Sequence, residues 1–222
     1  MSAKNIVVIG SSGHAKVAVD IIEREGRYHL VGLIDSFKPV GSTVFDYPVM
    51  GTEAELPALS KSLNLHGCFI AIGDNWQRSL MAAQVANLVP ELSIVSATHP
   101  SAQIARGSEI GDGTILMAGA AVNSDCRVGR FCILNTRASL DHDGRIADFA
   151  SLAPGATLGG NVTLGEFSAV GLGANVIHQV NIGAHVVIGA GALVLEDIPD
   201  HTVAYGMPAA VVRTRQAGEQ YL

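Results

Sequence analysis

Between residues 104 and 194 every sixth position is Ile, Leu or Val, sixteen times without a break, from Ile104, Ile110 and Leu116 to Ile188 and Val194. Two residues before each stands a small or short side chain, from Ala102, Ser108 and Thr114 to Val186 and Ala192. An amphipathic helix would repeat its apolar positions at 3.6 residues and a half-buried strand at two. A period of six is neither. It predicts a parallel β-helix, in which each short side stacks on its counterpart one coil below.

A slower period sets the shape of the coil. Phe131, Phe149 and Phe167 recur every eighteen residues, and Gly111, Gly129, Gly165 and Gly183 lie on a second such lattice, with Ala147 in the remaining slot. Eighteen is three hexads, so each coil is one layer of a three-sided prism, and sixteen hexads make a little over five coils. One aliphatic and one small residue per side fill so narrow an interior and leave no room for rings. Aromatics are accordingly 5% of a chain that is 48% hydrophobic.

The residues before the repeat follow another rhythm. Asn5–Ile9 predicts a short apolar strand, Ala15–Glu25 an amphipathic helix, His29–Ile34 and Cys68–Ile72 further strands, and the stretch around Trp76–Ala86 a second helix. Strands alternating with helices predict a small parallel α/β sheet. Gly10 to His14, Asp35 and Gly73 to Asn75 each follow a strand, so they converge on the carboxyl edge where such sheets take ligands. A glycine turn before a helix lets a phosphate approach the backbone. This one is not a full G-x-G-x-x-G fingerprint, and plain strand-to-helix geometry also explains it. His14 is open to two readings, a ring turned to a ligand and a solvated cap. Residues 96–101 join the two regions tightly, since Pro100 disfavours helix before it. After Val194 the repeat fades into a short polar tail.

Totals narrow the function. The 222 residues leave room for one or two domains. A net charge of −6 argues against a nucleic-acid groove or an anionic membrane surface. No apolar run approaches the ~20 residues of a membrane span. Residues 1–10 run straight into a strand without the zones of a secretory signal, so a cytoplasmic protein is expected. Of three cysteines, Cys126 and Cys132 fall in small core slots and read as small hydrophobes.

Core positions of the prism cannot carry chemistry, so candidates must point outward. His142, two residues past Leu140, does so, flanked by Asp141 and Asp143. A neutral His is the usual general base near pH 7, and an adjacent carboxylate can orient it; an exposed His in an acidic turn is the plainer alternative. His178 lies two coils up the same edge with Gly160 between, which at ~4.8 Å per strand spacing separates the two rings by ~10 Å, too far to share a metal. No metal site is expected. His185 falls on the Phe lattice and is read as the cap of that stack, while His29, His66 and His201 show no partner pattern.

Four features in order, Gly10 to His14, the His99-Pro100-Ser101-Ala102 approach to the prism, Asp-His-Asp on the coils and the terminal Gly206 to Ala209, resemble the nucleotide-amino-sugar acetyltransferases of the hexapeptide superfamily. These include bacillosamine and perosamine N-acetyltransferases and the related sialic acid O-acetyltransferases. The resemblance covers nearly the whole chain and implies a left-handed β-helix. It divides the chain into a Rossmann-like nucleotide-sugar-binding domain over 1–96, a β-helix acyltransferase domain over 97–198 and a tail over 199–222. It implies His142 as catalytic base, Asp143 as its supporting acid and Asn135 as an active-site amide. Ser12, Gly13, His14, Asp35, Gly73 and Asn75 are implied to meet the nucleotide sugar. Leu172, Gly173, Gly189, Ala190, Gly191, Gly206 and Pro208 are implied to meet acetyl-CoA. Ser151 stands where some members carry a second histidine. A homotrimer with active sites between prisms is implied, with direct acetyl transfer to an amino sugar. Sialic acid O-acetylation and a non-catalytic binding scaffold are the competing readings.

Overall fold

The computed structural model describes residues 4–221, so the ends of the expected first domain and tail, residues 1–3 and 222, lie outside it. The chain forms two compact units, residues up to 73 with 77–100, and residues 74–76 with 101 onward.

In the first unit, β1 (Lys4–Ile9), β2 (Tyr28–Ile34), β4 (Tyr47–Gly51), β5 (Gly67–Ile70) and β6 (Ser93–Ile94) run parallel, and β3 (Thr43–Val44) pairs antiparallel with β4. The sheet order is β3-β4-β2-β1-β5-β6. Ile6 to Ile9 are fully buried, as a central parallel strand covered on both faces requires. Helix α1 (Gly13–Glu25) buries Ala15, Ala18, Val19, Ile21 and Ile22 along one stripe. It ends where Gly26 turns left-handed at φ 67° and donates to the Ile22 carbonyl. Gly10 makes the β1–α1 turn at φ 100°, with a Cβ position only 2.9 Å from the Ala71 carbonyl oxygen, so no other residue fits there. Helices α2 (Leu56–Ser62) and α3 (Asn75–Leu88) complete the elements. The expected helix starts two residues earlier than its apolar stripe, and the third strand ends at Ile70 rather than Ile72. The β3–β4 hairpin and α2 were not anticipated. A signal existed in Thr52 and Glu55, which form a capping box before α2.

The second unit is the left-handed parallel β-helix of hexapeptide repeats. Its strands are two residues long and pair in parallel with the strand eighteen residues on, as in Ile115↔Ile133, Ser139↔Thr157 and Arg145↔Thr163. They build three flat faces, and the aliphatic series from Leu116 to Val194 is one continuous buried core with its small partners, among them the fully buried Thr114 and Ser168, while the partly buried Ile110 packs against its end. Polar residues in the small slots are satisfied by the next coil. The hydroxyls of Thr114 and Ser168 donate to the carbonyls of Gly129 and Gly183. The Cys126 and Cys132 thiols donate to those of Asp141 and Ala147.

Each corner is turned by one residue in the left-handed region, three positions after the aliphatic one. These residues are Gly107, Gly113, Gly119, Asp125, Phe131, Arg137, Asp143, Phe149, Gly155, Asn161, Phe167, Gly173, Gln179, His185 and Gly191. Sorted by eighteens they make three columns of different chemistry. One is polar, from Asp125 through Asp143 and Asn161 to Gln179. The second is aromatic, with Phe131, Phe149, Phe167 and His185 stacked at 4.8–5.2 Å between ring centroids. The third is nearly bare: Gly119, Arg137, Gly155, Gly173 and Gly191. His201, expected to be ordinary, stacks on His185 at 4.8 Å and extends the aromatic column. The expected polar tail also proves ordered. Thr202–Gly206 pairs in parallel with Val187–Ile188 and antiparallel with Ala209–Thr214, closing the last coil with a hairpin. No helix among the described residues is long and apolar enough to cross a membrane.

Candidate active site

The polar corner holds His142. Leu140 faces the core, so the chain leaves the strand at Asp141 and turns at Asp143, whose left-handed backbone (φ 59°) swings its carboxylate back beside the preceding ring. Asp143 Oδ2 lies 2.8 Å from His142 Nδ1. On the other side, Asp141 Oδ1 accepts the His142 backbone N–H at 2.8 Å and is itself held by Asn123 Nδ2 at 2.8 Å. The hydrogen bond to Asp143, and then the charge of Asp141, raise the His142 pKa above its ordinary value. The Asn123 amide and the His142 N–H hold Asp141 below the usual carboxylate range. With Nδ1 engaged, Nε2 is the ring nitrogen left to act. One coil above, a Cβ built on Gly160 would fall 2.6 Å from that Nε2, so the ring lies over a bare glycine. The Gly160 N–H donates to no acceptor among the described residues. Asp141, Asn123 and Gly160 were not anticipated as site residues, although Asp141 was visible in the Asp-His-Asp triplet.

Asn135 is not at this corner. It follows Leu134 on a different face, its Oδ1 accepting the Thr136 N–H at 2.7 Å, and it leads into the bare corner. Leu172, Gly173, Gly189, Ala190 and Gly191 lie at that corner too. Gly173 and Gly191 turn left-handed with open space where a Cβ would be, and Leu172 is 60% exposed beside them. The result is a bare edge with an exposed apolar side chain beside it. Gly206 (φ 108°) and Pro208, which follows a cis peptide bond, form the tip of the closing hairpin, and Tyr205 packs over Gly189. Ser151 sits half-buried in the strand that pairs with Ile133 and Leu134, on the same face that leads into Asn135. Within one chain, then, the base and the bare edge stand at different corners, separated by the face that carries Ser139 and Leu140.

In the first unit the strand-end residues form a tight network. Asp35 is buried; its Oδ2 accepts the Ser11 hydroxyl at 2.5 Å and its Oδ1 the backbone N–H groups of Phe37 and Lys38. Lys38 Nζ donates to the Ser11 carbonyl at 2.7 Å. Ser12 and Gly13 open α1 and are exposed, with nothing within 4 Å of a Cβ at Gly13. His14 Nε2 is buried without a hydrogen-bond partner. Burial, and then the Arg78 guanidinium, push the His14 pKa down to about 4. Arg78 is itself fully buried and donates to the carbonyls of Ile72 and Gly73, which fixes the loop after β5. Asn75 belongs with the prism unit, where it donates to the Phe167 and Ser168 carbonyls and is buried. Ser11, Lys38 and Arg78 were not foreseen. Their roles depend on tertiary neighbours that spacing does not show. Among the described residues no group of His, Cys, Asp and Glu is arranged to hold a metal ion.

Comparison with known proteins places these features. Residues 5–85 match the family model described as the PglD N-terminal domain. A UDP-N-acetylbacillosamine N-acetyltransferase of Bacillus subtilis is 35% identical over 118 residues, which is 52% of this chain and 52% of that one, so the chain spans about half the length of this curated relative. GDP-perosamine N-acetyltransferase of Caulobacter crescentus, solved with CoA and GDP-perosamine, superposes with a TM-score of 0.89 at 35% identity, covering 96% of this chain and 98% of that one. The acetyltransferase domain of PglB from Neisseria gonorrhoeae, solved with acetyl coenzyme A, gives 0.86 at 32% identity over 95% and 100%. A prism with an outward His–Asp pair, preceded by a glycine-turn α/β unit and matched nearly end to end by such enzymes, belongs to the family of N-acetyltransferases acting on nucleotide-linked amino sugars.

Proposed function

We propose that this chain transfers the acetyl group of acetyl-CoA to the amino group of a UDP-, GDP- or dTDP-linked 4-amino-4,6-dideoxysugar, in the cytoplasm, for surface-glycan biosynthesis. The observation that carries the reading is the outward His142, held through Nδ1 by Asp143 at 2.8 Å with Nε2 free. The amine nitrogen attacks the thioester carbonyl while Nε2 takes its proton. Asp143 steadies the imidazolium that forms, the carbon–sulfur bond breaks, and the proton passes from the ring to the departing CoA sulfur. A backbone N–H near the coil turn serves as donor to the tetrahedral oxyanion. Cys126 is no nucleophile here, since it is buried in the core and its thiol pKa is raised by that burial. All three relatives named above are N-acetyltransferases or acetyltransferase domains, which favours an amine over a sugar hydroxyl as acceptor. His142→Asn should lower kcat roughly 10²–10⁴-fold, the usual worth of general acid–base catalysis; activity within a few-fold of wild type would refute the assignment.

Acetyl-CoA is assigned to the bare corner at Leu172, Gly173 and Gly189 to Gly191, and the nucleotide to the strand-end edge of the first unit, around Ser12 to His14, Asp35 and Gly73. Because the base and the bare edge stand at different corners of one prism, a neighbouring chain supplies the second corner, and a closed homotrimer is the assembly that does so three times over. Chains carrying His142→Asn and chains carrying Asn135→Ala, each nearly inactive alone, should regain activity when co-assembled. Mixtures that stay inactive would place the whole site within one chain.

A further inference from the structure

We propose that Gly160 is a positioning residue for the catalytic base, present because its missing side chain leaves the space beside His142 Nε2 empty. The inference rests on the reading of His142 as the base.

Gly160 shares a column with Arg106, Ser124, His142 and His178, which occupy the same slot on other coils. That slot therefore accepts side chains. Its backbone does not require glycine either, since the left-handed residue of this corner is the next one, Asn161 at φ 59°, and Gly160 lies outside that region. What a Cβ would meet is decisive. The nearest three atoms all belong to the His142 ring: Cε1 and Nε2 at 2.6 Å and Cδ2 at 3.2 Å. The adjacent Gly159 is a contrast. There a Cβ would strike the backbone nitrogen of His178 at 2.7 Å, so the stacking of the coils forbids it. One glycine of the pair serves the fold, and the other serves the ring.

A methyl group at Gly160 has one soft neighbour, the exposed imidazole, which can swing aside without disturbing the core. Swinging aside takes Nδ1 from Asp143 and Nε2 from its place, and if the ring stays instead, the methyl fills the space beside Nε2 that an amine must enter. In both cases the fold survives and proton transfer does not. Displacement by about 1 Å at a reacting group is enough to cost on the order of 10²-fold in rate.

The test compares wild type, Gly160→Ala, His142→Ala and the double variant. Acetyl transfer is followed with UDP-, GDP- and dTDP-linked 4-amino-4,6-dideoxysugars as acceptors, alongside Tm and an NMR titration of His142. Gly160→Ala is expected to melt no lower than wild type, to lose about 10²-fold in kcat, and to show a His142 pKa moved down. In the His142→Ala background the same change should alter the residual rate by less than about 3-fold, since a residue acting only through the ring has nothing left to act on. A Gly160→Ala enzyme with near wild-type kcat would overturn the proposal. So would one that unfolds, or one whose loss persists in full without the ring. If His142→Ala itself keeps wild-type activity, the assignment of the base fails, a result distinct from any of these.

Discussion

His14 and His142 are the same side chain in two surroundings, and the surroundings reverse its chemistry. His14 opens the first helix of the α/β unit, where burial and the Arg78 guanidinium hold its ring neutral, with a pKa near 4 and an unpartnered Nε2. His142 turns a corner of the prism in water, where Asp143 and Asp141 favour its charged form. A group that must pick up a proton during a reaction profits from the second arrangement. One that must stay uncharged profits from the first. The two units also hold their carboxylates differently. Asp35 is enclosed by the Ser11 hydroxyl and the backbone N–H groups of Phe37 and Lys38, whereas Asp143 keeps one partner and an open side.

This comparison can be broken at either end, and the larger effect is expected at the buried one. Because the folded-state pKa of His14 is depressed below the ordinary 6.5, the unfolded chain binds more protons between those values. Its contribution to stability is complete above pH 6.5 and is lost as the pH falls towards 4, by up to about 3 kcal/mol. Thermal unfolding from pH 7 to pH 4 should show this loss in wild type and a flatter profile in His14→Gln. Equal slopes would mean that His14 is not the buried neutral ring described here. His142 is too exposed to carry any such effect, so its substitution should leave the acid profile of stability unchanged.

The regions differ also in how openly their sequences declare them. The hexad could be read because every coil repeats one geometric demand, an aliphatic and a small residue per side, and the columns of Phe131, Phe149, Phe167 and His185 followed from arithmetic. Where the arithmetic stops, so did the reading. His201 follows His185 by sixteen residues instead of eighteen, so its place on the stack depends on the shortened last coil, which no period in the sequence marks. The hairpin of Thr202–Thr214 breaks the period altogether. In the α/β unit the strands were legible as apolar runs. The Ser11–Asp35 bond and the burial of Arg78 join residues that no local pattern relates. At the site, the His142–Asp143 pair could be suspected from adjacency, but the fit of the ring over Gly160 depends on a side-chain rotation that spacing does not encode.

The central claim is that the outward ring of His142, tuned by Asp143, is the base. The most direct measurement is the pH dependence of kcat/KM in wild type and Asp143→Asn. Protonated His142 cannot accept the amine proton, so activity should fall on the acid side through an apparent pKa above 6.5 in the wild-type enzyme. Removing the charge and the hydrogen bond of Asp143 should move that limb to lower pH and lower the maximum rate. An acid limb that stays in place when Asp143 is changed, or that persists undiminished in His142→Asn, would contradict the account.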